Sequence, residues 1–348
     1  MLIRPSCVRS ALCAVVAAAA AAGCADAPSI PQHQQTWQLR ADGSYVNLGT
    51  MQRFTPDELY AHGVGLHKAK RHEEAAAAFG ALAESAPDDA LRARASFSRA
   101  ETVASAGAFA DAYRLYDAYQ ARHPDGEHAT LAKERMMQCA LELARVGQRE
   151  SVLGIPILKT ATAGVELLKS TLQRFPREDF SDDYHYKLAE FHHGREEFDE
   201  AELELRHILA DPTYQRGNSA PHALLLLGRI GEQRYDGPDY DHKTLIDAKR
   251  AYERFIGDYK ALPAPAAEAM GIKNLPAILA DAQKRIAEVN SRLAEREYVL
   301  AEYYYGRGHP RSARVYLDYI LKNYPDSKWA EDARGMLKEL PPEDRTAP

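Results

Sequence analysis

The sequence is poor in cysteine and lacks the short motifs that usually carry catalysis. Its 348 residues include four cysteines, and they contain no glycine-rich phosphate loop, no HExxH and no CxxC pair. Cys139 lies in the helical pattern KERMMQCALELA, which predicts a buried, inert thiol. The histidine pairs His67/His72 and His192/His193 are better explained as helix-end or surface residues than as metal ligands. We therefore predict a protein that is not an enzyme and that uses no cofactor or metal.

The chain also lacks an excess of positive charge. It has 44 lysines and arginines against 50 aspartates and glutamates, a formal net charge of −6. Proteins that bind nucleic acid are typically basic, because they neutralise phosphates, so we expect no nucleic-acid partner. Hydrophobic residues make up 45% of the chain, as in ordinary soluble proteins. Alanine is abundant and β-branched residues are sparse, which favours helix.

No apolar run in the sequence is long enough to span a bilayer as a helix. Arg4 and Arg9 precede the short run ALCAVVAAAAAAGC, which ends at Cys24. A basic segment, a short apolar stretch and small residues before a cysteine are typical of a bacterial lipoprotein signal. We expect residues 1–23 to be removed and Cys24 to be acylated, which anchors the chain in a membrane. The alternative is a plain signal peptide in which this cysteine is incidental. Ala25, rather than aspartate, comes next, and by resemblance to enterobacterial lipoproteins this indicates the outer membrane.

Residues 24–54 are polar and predict a disordered, lipidated tether. Within them, TWQLRADGSYVNL places Asp42-Gly43 between two short runs, which is typical of a β-hairpin. The pattern changes at TPDE, where Thr55 can cap a helix, proline suits the first helical position and Glu58 completes a capping box.

A helical frame recurs from this point along the chain. Small residues stand at positions 8 and 20 of a 34-residue unit, and larger ones at positions 11 and 24. Two antiparallel helices can then approach closely, with the large side chains filling the space beside the contact. These residues are Gly63, Ala75, Leu66 and Phe79 in the first unit, Ala100, Ala112, Val103 and Tyr116 in the second, and Ala301, Ala313, Tyr304 and Leu317 in the last. The spacing resembles the tetratricopeptide repeat.

One such unit cannot bury its apolar face alone, so the units stack into a solenoid. We predict an all-α tetratricopeptide-repeat solenoid of about five to six helix pairs over residues 55–340, with a polar tail at 341–348. An insertion at 147–160 divides one of the looser middle units. A Pro/Ala-rich bridge at 261–276 leads into a long helix at about 276–306. A generic helical bundle is the alternative, but it does not explain the shared frame.

The C-terminal sequence resembles the last repeat of BamD, the tetratricopeptide lipoprotein of the outer-membrane β-barrel assembly machinery. That family has a helix ending in aromatics before an arginine-glycine turn, then an alanine-bearing helix ending in Tyr-Pro-Asp. The residues in those places are Tyr304, Tyr305, Arg307, Gly308, Ala313, Tyr324, Pro325 and Asp326. The similarity extends over about 290–340 and 55–125. The intervening region departs from the family, with extra sequence at 147–160, 234–245 and 261–276.

The resemblance implies a lipid-anchored, non-catalytic scaffold on the periplasmic face of the bacterial outer membrane. Its C-terminal repeats would bind the β-barrel assembly protein, which carries periplasmic domains. Its N-terminal repeats would bind unfolded outer-membrane proteins. One alternative is a periplasmic repeat lipoprotein that coordinates peptidoglycan synthesis or cell division. Another is an enzyme that uses the 147–160 insertion, although that insertion offers no clustered acid and base.

The repeat frame also locates a candidate groove, because in this repeat the first helix of each unit lines the concave face. The residues that we expect to contact partners are Tyr60, Val64 and His67 in the first unit, Arg94, Phe97 and Glu101 in the second, and Tyr298, Glu302 and Tyr305 in the last. An aromatic stands at position 5 in all three units, and exposed aromatics are enriched in binding sites. The alternative is that these aromatics pack against neighbouring helices.

Three consecutive tyrosines end the first helix of the last unit. The frame predicts Tyr304 in the core between the helices, with Tyr303 packing beside it. Tyr305 is expected on another face, exposed to a partner. A turn at Gly308 and a second helix that starts at Pro310 should follow.

Overall fold

A computed structural model describes residues 37–152, 158–238 and 242–341. The predicted signal at 1–23, Cys24 and the start of the tether lie outside the described residues. So do the middle of the 147–160 insertion and nearly all of the polar tail at 341–348.

Three short antiparallel strands precede the helices: Trp37–Leu39 (β1), Tyr45–Asn47 (β2) and Arg53–Phe54 (β3). The predicted hairpin is present as β1 and β2, and Gly43 in its turn has a φ of 79°, which glycine adopts without strain. The sequence had not indicated β3. Trp37 and Tyr45 are buried with Leu59 and other side chains of the first repeat. Residues 37–54 are therefore folded onto that repeat and are not part of a disordered tether.

Fourteen α-helices follow in the described part of the chain. They are Pro56–Lys68 (α1), His72–Ser85 (α2), Asp89–Ser105 (α3), Phe109–Arg122 (α4), Ala129–Val152 (α5), Leu158–Arg174 (α6), Ser181–His193 (α7), Phe198–Ala210 (α8), Ala220–Gln233 (α9), Lys243–Tyr259 (α10), Ala264–Ala269 (α11), Leu275–Gly306 (α12), Pro310–Asn323 (α13) and Lys328–Glu339 (α14). A 3₁₀ turn at Tyr214–Arg216 follows α8. Six antiparallel pairs result (α1/α2, α3/α4, α5/α6, α7/α8, α9/α10 and α12/α13), which confirms the predicted all-α repeat fold.

The spacing of small and large residues has the expected structural role. A Cβ added at Gly63 would lie 2.8 Å from the Phe79 ring, so only glycine lets these two helices approach so closely. The small residues at positions 8 and 20 of the other two units, Ala100, Ala112, Ala301 and Ala313, are fully buried. The predicted capping box is also present, since Thr55 and Glu58 each accept a hydrogen bond from the other's backbone N–H.

The helices divide into two compact units, with the boundary between Phe180 and Ser181. The first unit holds the sheet and α1–α6, and the second holds α7–α14. Within each unit the second helix of one pair packs against the first helix of the next, as α4 does on α5 and α10 on α12. This is the stacking that a repeat solenoid requires. Cys139 is buried in the first unit, as predicted, and loss of solvation raises the pKa of its thiol to about 12.

The Pro/Ala-rich bridge is folded, contrary to its irregular composition. It contains α11, and Ala267 and Ile272 bury their side chains in the core of the second unit. Asn274 then caps the predicted long helix, α12, by accepting a hydrogen bond from the backbone N–H of Ala277 at 3.4 Å.

Candidate partner-binding surfaces

The predicted groove residues of the first repeat lie on α1, where Tyr60 and His67 contact α3. Tyr60 is half-buried against Phe79, and the Arg94 guanidinium lies 4.7 Å above its ring. The Tyr60 hydroxyl is 3.0 Å from Ser98 Oγ, and Nδ1 of His67 is 3.1 Å from Thr102 Oγ1. These contacts join the first helices of two successive repeats. Val64 is likewise half-buried, in the small cluster around Phe79. Among the six predicted partner-contacting residues of the first two repeats, Arg94 alone is exposed.

Phe97 and Glu101 contact the helices that follow them in the chain. Phe97 is 7% exposed and packs against Tyr116, Tyr119 and His128. For Phe97 the packing alternative therefore describes the structure better than the groove hypothesis.

Glu101 is the centre of a polar triad that links three helices. Its carboxylate accepts hydrogen bonds from Tyr116 Oη on α4 (2.5 Å) and from Arg135 Nε on α5 (2.8 Å). Burial and the Glu101 hydrogen bond raise the pKa of Tyr116. Burial opposes the charged form of Arg135, but the charge and hydrogen bond of Glu101, together with the nearby Tyr116 and Glu134, outweigh burial and raise the pKa of that guanidinium. The two hydrogen bonds of Glu101 join α3, α4 and α5, as a structural connection would.

The second unit repeats this arrangement with different residues. Glu232 on α9 accepts hydrogen bonds from Tyr252 Oη on α10 (2.6 Å) and from Arg285 Nη1 on α12 (3.2 Å). In both units, one carboxylate on the first helix of a pair thus accepts hydrogen bonds from two neighbouring helices. These are the second helix of the same pair and the first helix of the next pair. The sequence did not indicate these triads, because their hydrogen-bonded residues are 15 to 53 positions apart and belong to no single periodic pattern.

The predicted residues of the last repeat divide between packing and exposure. Tyr298 is half-buried against Trp329 of α14, with ring centroids 5.2 Å apart. Burial and the charge of Glu302 raise its pKa. Glu302 is exposed, and Tyr305 is 39% exposed. The structure therefore leaves Glu302 and Tyr305 accessible to a partner.

The prediction that Tyr303 packs beside Tyr304 holds only in part, since the two rings meet edge to face with centroids 5.4 Å apart but Tyr303 does not enter the core. Tyr304 does pack, since it stacks on Tyr316 of α13 with the rings 9° from parallel. Tyr303 is 50% exposed, and the Arg307 guanidinium lies 4.7 Å from its ring centroid. Successive helical residues point about 100° apart, so Tyr303 cannot share the inward direction of Tyr304. The turn has the predicted form, with Gly308 at a φ of 77° and α13 beginning at Pro310.

Two further apolar residues on α13 are exposed, and the repeat frame did not predict them. Val315 is 67% exposed and Tyr319 is 46% exposed, whereas Ala313, Leu317 and Ile320 on the same helix are fully buried. The spacing of residues along α13 could have indicated this exposure. Val315 and Tyr319 are four residues apart, on the side of the helix that its core residues leave free.

No group of three or more His, Cys, Asp or Glu side chains among the described residues could hold a metal ion. His67 and His72 contact each other edge to face, and His192 hydrogen-bonds to Glu197 at 2.7 Å.

In the described part of the chain, no helix combines the length and the apolar character needed to cross a membrane.

A family model described as YfiO, outer membrane lipoprotein, matches residues 158–340, just over half of the chain. The chain belongs to this family. The YfiO match runs from α6 to the end of α14, and so includes the last helix pair with its exposed apolar residues. It agrees at the family level with the resemblance to BamD in the C-terminal sequence. The match to the YfiO family does not include residues 1–157.

Two solved structures are also similar to this chain. One is the C-terminal part of a TPR repeat-containing protein from Cytophaga hutchinsonii, with 13% identity and a TM-score of 0.35, covering 79% of this chain and 98% of that one. The other is BtubC from P. vanneervenii, with 16% identity and a TM-score of 0.36, covering 85% and 97%. No curated protein matches the sequence significantly.

Proposed function

We propose that the protein is a non-catalytic scaffold lipoprotein of the machinery that assembles β-barrel proteins in the outer membrane. The observation that carries this proposal is the YfiO match over residues 158–340. Two folded units of stacked helix pairs suit such a role, because repeat proteins offer extended surfaces and need no catalytic group to bind a partner.

We propose that the barrel assembly protein binds the last repeat through exposed side chains on both of its helices. These are Tyr303 and Tyr305 on α12 and Val315 and Tyr319 on α13, and together they are called the last-repeat patch. These four residues are half of the large hydrophobic side chains that are exposed in the described part of the chain. Aromatic side chains dominate the energetic centres of protein interfaces, where they bury large areas at low entropic cost. The guanidinium of Arg307 beside Tyr303 adds a cation at the edge of the patch.

The first two repeats are the part that we assign to unfolded outer-membrane proteins. Arg94 is exposed there, and it lies over the half-buried ring of Tyr60. The guanidinium of Arg94 has N–H donors that can bind backbone carbonyls of an extended segment. Val64 and His67 lie on the same helix as Tyr60. Phe97 and Glu101 lie on α3 and pack behind this surface.

Attachment to the periplasmic face of the outer membrane would come from acylation of Cys24. We expect a radiolabelled fatty acid to label the wild-type chain and a Cys139→Ala variant equally. A Cys24→Ala variant should take up no label, since the buried Cys139 thiol is not available for acylation. Label that persists in the Cys24→Ala variant would reject the anchor.

A cross-linked pull-down from native membranes tests the proposed function. The tagged full-length chain should recover a barrel protein with periplasmic domains, together with barrel proteins that have not yet folded. Recovery of cell-wall synthases or division proteins in their place would contradict the assignment and favour a role in peptidoglycan synthesis.

A further inference from the structure

A cleft of about 340 Å³ opens in the second unit, between α9, the 261–276 bridge and the start of α12. Ligand-binding pockets typically begin at about this volume. Its lining includes the cationic side chains of Arg229, Lys273 and Arg285, and the carboxylate of Asp281. The cleft is distinct from the last-repeat patch, which contributes no residue to it.

The folded bridge forms one wall of this cleft. Nε2 of His222 on α9 lies 3.2 Å from the carbonyl oxygen of Met270, which fixes the end of the bridge to α9. Ile272 is buried in the core beside that contact. The adjacent Lys273 is therefore carried by an ordered segment, and its ammonium group is available at the rim.

The charges in the cleft do not balance. Arg285 pairs with both Asp281 at 2.9 Å and Glu232 at 3.2 Å, so these three groups together carry a formal net charge of −1. Arg229 and Lys273 are both exposed, and neither forms an ion pair with any residue that the structure describes. With these two cations included, the groups around the cleft carry a formal net charge of +1, in a chain whose net charge is −6.

Beside the charged residues and the polar His222 and Asn274, the lining has an apolar part. Leu225 on α9 and Ile278 on α12 are half-buried, and Ala277 is exposed. A ligand that fits both features carries a carboxylate for the cations and an apolar group for this wall. An inorganic anion would leave the apolar part unused, and a purely apolar ligand would leave two cations without a counter-charge.

We propose that this cleft binds a short peptide segment in which a carboxylate stands beside an apolar side chain. The carboxylate can belong to an acidic side chain or to a chain terminus, since both present the same group to Arg229 and Lys273. The inference goes beyond the scaffold role, because it assigns a ligand to the bridge by which this chain departs from the BamD pattern.

Three probe peptides test the proposal on the full-length chain by amide chemical shifts in NMR spectra. N-acetyl-Ala-Glu-Leu-amide carries a side-chain carboxylate, and N-acetyl-Ala-Ala-Leu with a free terminus carries a terminal one. N-acetyl-Ala-Ala-Leu-amide carries neither. We expect at least one charged peptide to shift the Ala277 and Ile278 amides in a salt-dependent manner, and the uncharged peptide to bind at least tenfold more weakly. The stronger of the charged peptides identifies the source of the carboxylate.

Matched variants complete the test. Arg229→Gln with Lys273→Gln should weaken binding of the charged peptide at least tenfold. Lys284→Gln should not change the binding of the charged peptide. Lys284 lies on α12 outside the cleft, and its side chain is 75% exposed. Unchanged binding in the double variant would overturn the proposal. So would equal binding of the uncharged peptide, equal shifts with inorganic phosphate, or the absence of shifts with every peptide at millimolar concentration.

Discussion

Replacing Gly164 by alanine is expected to destabilise the protein by about 2 kcal/mol, although alanine is the better helix former. Gly164 lies on α6, where it meets α5 without any space for a side chain. A Cβ there would overlap the backbone nitrogen of Ala144 and lie 2.7 Å from the carbonyl oxygen of Ala140. Both clashes involve backbone atoms, so no side-chain rotation relieves them and the two helices must separate. Urea titration followed by circular dichroism measures the change.

Gly65→Ala is the matched control for this prediction. Gly65 also lies inside a helix of the first unit, but an added Cβ there meets no described atom within 4 Å. Its replacement should stabilise the protein by up to about 1 kcal/mol, through helix propensity alone. If both substitutions stabilise the protein, the close approach of α5 and α6 is not as described.

Replacing Val315 and Tyr319 together by glutamate is expected to weaken binding of the barrel assembly protein at least a hundredfold. Each residue presents a large apolar side chain to solvent on α13. The central residues of an interface each contribute about 2 kcal/mol or more, and burying a new charge adds a further penalty. Both positions are exposed in the free chain, so the fold should not change. Affinity measured with the purified periplasmic domains of the partner tests this expectation.

Leu203→Glu provides the control for the loss of an exposed apolar residue. Leu203 is 65% exposed on α8, in the same unit but outside the last-repeat patch. This variant should bind the partner as the wild-type chain does. A similar loss of affinity in Leu203→Glu would show that the effect is not specific to the patch.

The repeat architecture could be predicted from the sequence because its signals are local. Gly63 and Phe79 are 16 residues apart within one helix pair, and the same small-to-large spacing recurs in other units. The capping box at Thr55 and the glycine at position 308 likewise mark helix ends through their nearest neighbours. Such patterns are encoded within a single turn or a single pair.

Features that depend on more distant contacts could not be predicted in this way. Phe97 stands at a position where the frame left both exposure and packing open, and Tyr119 on α4 and His128 in the turn before α5 cover it. The strand β3 is stable because Tyr45 is buried against the first repeat, a contact that no hairpin pattern contains. The bridge appeared irregular because of its prolines, yet Ile272 anchors it in a core built from other helices.

Site-specific photo-crosslinking from position 319 tests most directly whether this chain holds the barrel assembly protein through its last repeat. A photo-reactive phenylalanine analogue would replace Tyr319 in one chain and Leu203 in another, and both would be irradiated in native membranes. We predict a covalent adduct with a barrel protein that carries periplasmic domains from position 319, and none from position 203. An adduct from position 319 with a cell-wall enzyme, or the same products from both positions, would contradict the proposed scaffold function.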